Sequence, residues 1–276
     1  MRAAVYRTFG GAITVETLPR PVCPADGVVL EVKATGVCRS DWHGWKGHDS
    51  DIVQHGLPMV PGHELAGCVA EVGEGVRSLK VGDRVAVPFI LSCGGCRECA
   101  RARPTICERQ EQPGFTRFGS FAQFVALPRA DRNLCLIPDG VSFVEAAALG
   151  CRTTTAYRAI VQRGRLTPRE SVAVFGCGGL GLSAVMVAAA QREEEPEGEA
   201  ARRIIAIDVN PGARLKALEL GATVCPPPPH DIFSLTPPPL PLRYQGTLVN
   251  GPMSESYFGE RCTCVPVIYE PGLLTR

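Results

Sequence analysis

Residues 93–107 read CGGCRECARARPTIC and place Cys93, Cys96, Cys99 and Cys107 in a C-x2-C-x2-C-x7-C pattern. Four thiolates in one short loop are what a closed tetrahedral zinc site requires. An iron–sulfur cluster is the alternative cargo. Two disulfides could use the same residues, but that solution belongs to small secreted domains. Scattered buried cysteines would not explain three at a strict spacing of three.

A second group of candidate ligands is dispersed. Cys38 and His43 lie in GVCRSDWH, His63 and Glu64 in PGHE, and Cys151 in LGCRT. Taken singly, a buried Cys is usually a small hydrophobe, and a lone His is usually structural. Together, Cys38, His63 and Cys151 supply two thiolates and one imidazole, the protein ligands of a three-coordinate catalytic zinc with an open position. Glu64 would sit behind that set or replace water as a transient ligand.

The third constellation is Gly176-Cys177-Gly178-Gly179-Leu180-Gly181, a G-x-G-x-x-G run between an apolar strand pattern (ESVAVFG) and a small, apolar helix pattern (GLGLSAVMVAAAQ). Gly176 permits a tight turn, Gly178 admits a pyrophosphate to the backbone, and Gly181 allows close helix–strand packing. The N–H groups and dipole of the helix start then face the phosphates. Asp208 ends the next strand pattern and is placed to bind ribose hydroxyls, which favours NAD over its 2′-phosphorylated form. It follows Gly181 by 27 residues, against a usual spacing of about 20. The charged run at 192–203, expected as a surface insertion, accounts for the excess.

The elements that must position these groups divide at about residue 150. Residues 1–150 carry short apolar runs punctuated by Gly, Pro and Asp (VVLEVKATGV, LAGCVAEVG, DRVAVPF, FAQFVAL), the pattern of a β-rich domain. Alternation in VVLEVKA predicts a half-buried strand. Residues 151–225 read β-α-β-α with the start of a third strand at TVC, which is the opening of a doubly wound α/β domain. Residues 226–276 hold 11 of the 24 prolines, so a disordered tail is expected there.

Composition narrows the partners. The chain has 276 residues, 45% of them hydrophobic, and a formal net charge of +1, which implies a sizeable core and no attraction to nucleic acid or membranes. No segment reaches the length of a membrane span, and the N-terminus lacks an apolar signal core. Thirteen cysteines without such a signal suggest a reducing, cytoplasmic compartment.

The segments GHELAGCVAEVGEGV and GVCRSDWH, followed in order by the four-cysteine lobe and GCGGLG, resemble the zinc-containing alcohol dehydrogenases of the medium-chain dehydrogenase/reductase superfamily. Gly62, His63, Glu64, Gly67, Gly73 and Val76 match that family's zinc signature, and the resemblance covers roughly residues 1–225. It implies a GroES-like β-rich catalytic domain (1–150, with a structural zinc lobe at 93–107), a partial NAD-binding Rossmann domain (151–225), and two zinc ions per chain.

It also implies hydride transfer between an alcohol and NAD, giving an aldehyde or ketone. Ser40 matches the hydroxyl that takes the alcohol proton, and His43 the outer relay to solvent. Arg39 matches a residue contacting the cofactor pyrophosphate, and Thr155 one packed against nicotinamide. Asp41 is a candidate partner for a zinc ligand. Trp42 and Trp45 are candidates to line a substrate pocket, with core packing as the plainer role. The family forms homo-oligomers, through a region with no counterpart after Cys225. The chain is therefore expected to be a truncated product, and the competing expectation is an inactive zinc-binding remnant. A four-cysteine module that recruits a protein partner is a third reading, without a basic patch or exposed motif in its favour.

Overall fold

Val28, Val29 and Leu30 are wholly buried, because they open an inner strand of a sheet. The computed structural model describes residues 1–167, 170–193, 203–225 and 267–270. Two compact units, Met1–Cys151 and Arg152–Arg276, divide the chain where the sequence pattern changes.

In the first unit, β1 (Arg2–Tyr6) and β2 (Ile13–Thr17) form an antiparallel pair. The main sheet contains β3 (Val28–Gly36), β4 (Glu64–Val72), β5 (Arg84–Val87), β6 (Phe124–Leu127) and β7 (Cys135–Leu136). Its order is β6-β3-β4-β5-β7, antiparallel throughout. The apolar runs of the sequence each contribute one of these strands. Val28, Leu30, Leu65, Val69, Val85 and Leu127 share one core cluster. The alternation expected of β3 appears only toward its end, at Lys33 to Gly36. Its first three residues are flanked by strands on both sides and are covered on both faces, so alternation is lost there.

Helices of the first unit occupy the connections. They are α1 (Arg39–Trp45), α2 (Ser50–His55), α3 (Arg97–Ala100), α4 (Ala130–Asn133) and α5 (Phe143–Ala148). The start of α5 is a capping box. Glu145 N–H donates to Ser142 Oγ at 3.2 Å, and Ser142 N–H donates to the Glu145 carboxylate at 2.7 Å, which satisfies two otherwise orphaned donors. The helix then widens into a π-helical turn, Leu149–Thr153, a geometry frequent at functional sites. Gly150 is required there, since a Cβ would stand 2.6 Å from the Val87 carbonyl oxygen.

The second unit begins with α6 (Thr154–Tyr157) and a further π-helical stretch, Arg158–Gly164. Next come β8 (Ser171–Phe175), α7 (Gly179–Glu193), β9 (Ile204–Ile207) and α8 (Pro211–Glu219). β8 and β9 are parallel. Val224 continues the pattern, pairing in parallel with Ile205, as the third-strand reading of TVC requires. Asn210 caps α8 by accepting from Gly212 N–H at 2.8 Å, Pro211 fills the first turn, and Gly221 ends the helix region at φ +107°. Val172, Val174, Ala184, Val185, Ala188, Ile204 and Ala206 form the unit's core.

Most of the charged insertion and most of the proline-rich tail lie outside the described residues. From the tail, β10 (Val267–Glu270) pairs antiparallel with β8. Among the described residues, no helix is long and apolar enough to cross a membrane.

Candidate functional site

The four-cysteine lobe is built by short local elements. Cys96 is the N-cap of α3 and accepts from Cys99 N–H at 3.5 Å, and Cys99 lies inside that turn. Cys107 follows a 3-10 turn, Pro104–Ile106, and its sulfur accepts from the backbone N–H groups of Cys93 (3.2 Å) and Arg109 (3.4 Å). Cys96, Cys99 and Cys107 are buried. Ligand atoms of all four cysteines lie within 4.8 Å of one another, and the Cys96 and Cys107 sulfurs are 3.7 Å apart.

These cysteines are free thiols, so the two-disulfide alternative does not hold. Four sulfurs at about 2.3 Å from a zinc would stand about 3.8 Å apart, so the observed spacing fits a tetrahedral ion. Burial opposes ionisation of Cys93. The Gly95 N–H and its bonds with the Cys107 and Cys96 sulfurs outweigh that and draw its pKa down to about 6. Burial pushes Cys107 up to about 11.

The second cluster needs three separated elements. Cys38 stands at the N-cap of α1, His63 immediately precedes β4, and Cys151 rides on the π-helical turn after α5. Ligand atoms of Cys38, His63, Glu64 and Cys151 lie within 4.8 Å of one another. Asp41 binds the cluster together. Its Oδ2 accepts from Cys38 N–H at 2.9 Å, and its Oδ1 accepts from Gly62 N–H and His63 Nδ1–H, both at 3.1 Å. Gly62 is held at φ +104°, and a Cβ there would stand 2.4 Å from Ser120 Oγ.

The Asp41 bond fixes the proton of His63 on Nδ1 and leaves Nε2 for a ligand. Nε2 is buried with no hydrogen-bond partner of normal geometry among the described residues, an orphan that a metal ion would satisfy. Phe115 packs edge-on to the His63 ring at 5.2 Å between centroids. Glu64 is fully buried. Electrostatics agree with the donor set. The hydrogen bond with Cys151 holds Cys38 at about 3, against the opposing effect of burial, with His63 assisting. Cys151 is pushed up by that same bond, then by burial and the negative charges around it. The two cysteines thus share one proton. Burial works against an imidazolium at His63, but Asp41 and the Cys38 thiolate raise it to about 10.

The other expected site residues fall on two surfaces. Ser40 Oγ lies 3.7 Å from Cys38 Sγ. His43 is half-buried on α1, and its Nδ1 is 3.4 Å from that of His48. Arg39 is exposed and lies over the Trp42 ring, 4.4 Å from its centroid. Trp45 donates to the Gly11 carbonyl at 2.7 Å and packs with Tyr6, Ile52 and Met59, so its role is in packing. In the second unit, Thr155 is exposed on α6. Gly176 has φ +86°, and a Cβ on Gly181 would stand 1.9 Å from the Gly176 carbonyl oxygen. Gly178, Gly179 and Leu180 complete the turn into α7. Asp208 Oδ2 accepts from Cys177 N–H at 2.6 Å, and its Oδ1 from Asn210 N–H at 2.7 Å, so the acid braces the turn it was expected to serve.

Sequence reasoning missed His48 and Arg152. The Arg152 guanidinium lies beside the glycine turn, with Nη1 3.5 Å from where a Gly179 Cβ would stand. His48 carries no motif, and its ring meets His43 only through the turn after α1.

Residues 24–139 match the alcohol dehydrogenase GroES-like domain family. An alcohol dehydrogenase of Geobacillus stearothermophilus is 37% identical over 232 residues, covering 84% of this chain and 65% of the relative. The solved alcohol dehydrogenase of the archaeon Aeropyrum pernix superposes with a TM-score of 0.75 at 30% identity, over 85% of this chain and 67% of that one. The chain belongs to the zinc-containing alcohol dehydrogenase family. A second solved structure, an NAD-dependent alcohol dehydrogenase, gives a TM-score of 0.73 at 31% identity, over 82% and 63% of the two chains. The chain spans less than two thirds of the length of the curated relatives it matches.

Proposed function

We propose that the chain carries the chemistry of a zinc-dependent alcohol dehydrogenase, moving a hydride between an alcohol and NAD to give an aldehyde or ketone. The observation that carries this reading is the cluster of two half-buried thiols and one buried imidazole whose tautomer Asp41 fixes. Cys38, His63 and Cys151 would hold the catalytic zinc, and Cys93, Cys96, Cys99 and Cys107 a structural one.

Zinc so bound supplies a Lewis acid that lowers the pKa of an alcohol, and NAD supplies the hydride acceptor. The chain's own residues do the rest. Asp41 orients His63. Ser40 accepts the hydroxyl proton, and His43 passes it outward. Glu64 backs the ligand set. Gly176 to Gly181 and the start of α7 cradle the pyrophosphate. Asp208, just after β9, binds the ribose hydroxyls, and Thr155 packs against nicotinamide. The substrates are small alcohols, aldehydes or ketones. The free cysteines fit a reducing cytoplasmic compartment.

The test is a zinc determination on the purified chain together with NADH formation across a broad alcohol panel. Two zinc ions and alcohol-dependent NADH are expected. Two zinc ions with no NADH from any alcohol would leave a metal-binding chain without dehydrogenase activity.

A further inference from the structure

His43, His48 and Trp42 form a three-ring cluster at the end of α1. The Trp42 ring stands edge-on to both imidazoles, 4.9 Å from His43 and 5.7 Å from His48 between centroids. The two imidazoles meet through their Nδ1 atoms at 3.4 Å. Backbone geometry holds the contact in place, since His48 N–H donates to the His43 carbonyl at 3.0 Å. His43 is half-buried and His48 is exposed.

An Nδ1-to-Nδ1 contact has one chemical consequence that matters here. It leaves the Nε2 atoms as the two free ends of the pair. His43 shares the face of α1 with Ser40, three residues earlier, and Ser40 is beside Cys38. His48 is the more exposed of the two rings. We propose that His43 and His48 form a two-imidazole proton wire, with His48 as the terminal group that exchanges protons with bulk water. The inference rests on the dehydrogenase reading only for the origin of the proton.

The transfer balances without electrons. A proton arrives at His43 Nε2, the proton on His43 Nδ1 moves to His48 Nδ1, and the proton on His48 Nε2 leaves to water. The pair regains its starting tautomers when the Nδ1 contact opens and each ring exchanges its proton with water separately, since running the transfer backwards would return the proton. The charged neighbours suit this role. Partial burial, then Arg39 and His48, hold His43 below the usual histidine range, with Asp49 and Cys38 pulling the other way. Lys46, 6.0 Å over the Trp42 ring, adds a further positive charge nearby. His43 therefore stays neutral and able to accept near neutral pH.

Exchange of the His43 ring N–H with water, read by 15N NMR on the full chain, tests the wire without needing turnover. In His48→Gln the exchange slows by about tenfold or more, and free imidazole added to the solution restores it. His48→Asn gives the same result and guards against a fault particular to one variant. Unchanged exchange in both variants overturns the proposal. So does a third equivalent of zinc that perturbs both ring signals together, which would mark the pair as a metal site. Slowed exchange in a chain that makes no NADH supports the wire and counts against the dehydrogenase reading, so the two failures are separable.

Discussion

Asp41 Oδ1 accepts a hydrogen bond from His63 Nδ1 at 3.1 Å, with both side chains buried. The same carboxylate accepts from the backbone N–H groups of Cys38 and Gly62. One acid thus fixes the orientation of one ligand side chain and the backbone of another. Its cost of burial is met by three donors, including two backbone groups.

Replacing Asp41 should therefore act on metal affinity. Asp41→Ala is expected to weaken zinc binding at Cys38, His63 and Cys151 by about 10- to 100-fold, leaving the four-cysteine lobe loaded. Titration against a competing chelator measures both sites. Equal affinity in the variant and the parent would remove Asp41 from the ligand-positioning role.

Cys107→Ser should empty the other site. Its sulfur takes two backbone N–H groups and lies 3.7 Å from Cys96 Sγ, so a neutral hydroxyl leaves the lobe without its fourth thiolate. Zinc content is expected to fall from two ions per chain to one, with a stability loss of about 4 kcal/mol and rapid protease cleavage between residues 93 and 109. Retention of both ions would contradict the assignment.

Tyr6 is 1% exposed, and its hydroxyl is buried without a hydrogen-bond partner among the described residues. Burial, assisted by Asp41 and Asp49, raises its pKa from 10.0 to about 12. A raised pKa means that the folded state holds the proton more tightly. This contribution is complete below pH 10 and is lost as pH climbs from 10 through about 12. At about 1.4 kcal/mol per unit, the loss is about 3 kcal/mol. Tyr6→Phe should be neutral or slightly stabilising at pH 7 and should flatten the alkaline limb. Urea midpoints of both proteins across this range decide it, and parallel curves would refute the assignment.

Gly181→Ala tests the glycine turn. A Cβ would stand 1.9 Å from a backbone oxygen, which cannot yield as a flexible side chain can. The second unit is expected to lose about 3 kcal/mol and the chain its NAD binding, followed by calorimetry in each case. An unperturbed second unit would show that the helix and strand do not need so close an approach.

The contrast between the two candidate metal clusters shows what could be read in advance. The four-cysteine set spans 15 residues, and its spacing alone brings the sulfurs into reach, because the linking turns are short and local. The glycine turn was legible for the same reason, with the strand before it and the helix after it both written in adjacent apolar patterns. Four strands of the main sheet, β3 to β6, were readable as apolar runs, but not the loss of alternation at Val28 to Leu30. That depends on what covers both faces of β3.

Cys38, His63 and Cys151 are grouped in the sequence by donor type, a grouping that the family resemblance supports. Their convergence was decided by the fold. Asp41 closes α1 onto the Gly62–His63 backbone, and the π-helical turn carries Cys151 across Val87 at a glycine. The His43–His48 contact and the bracing of the glycine turn by Asp208 are likewise tertiary facts. Sequence determines the donor atoms and the contacts that span a turn or two. Contacts between distant segments depend on packing and on which buried polar groups find partners, and the folded chain alone settles those.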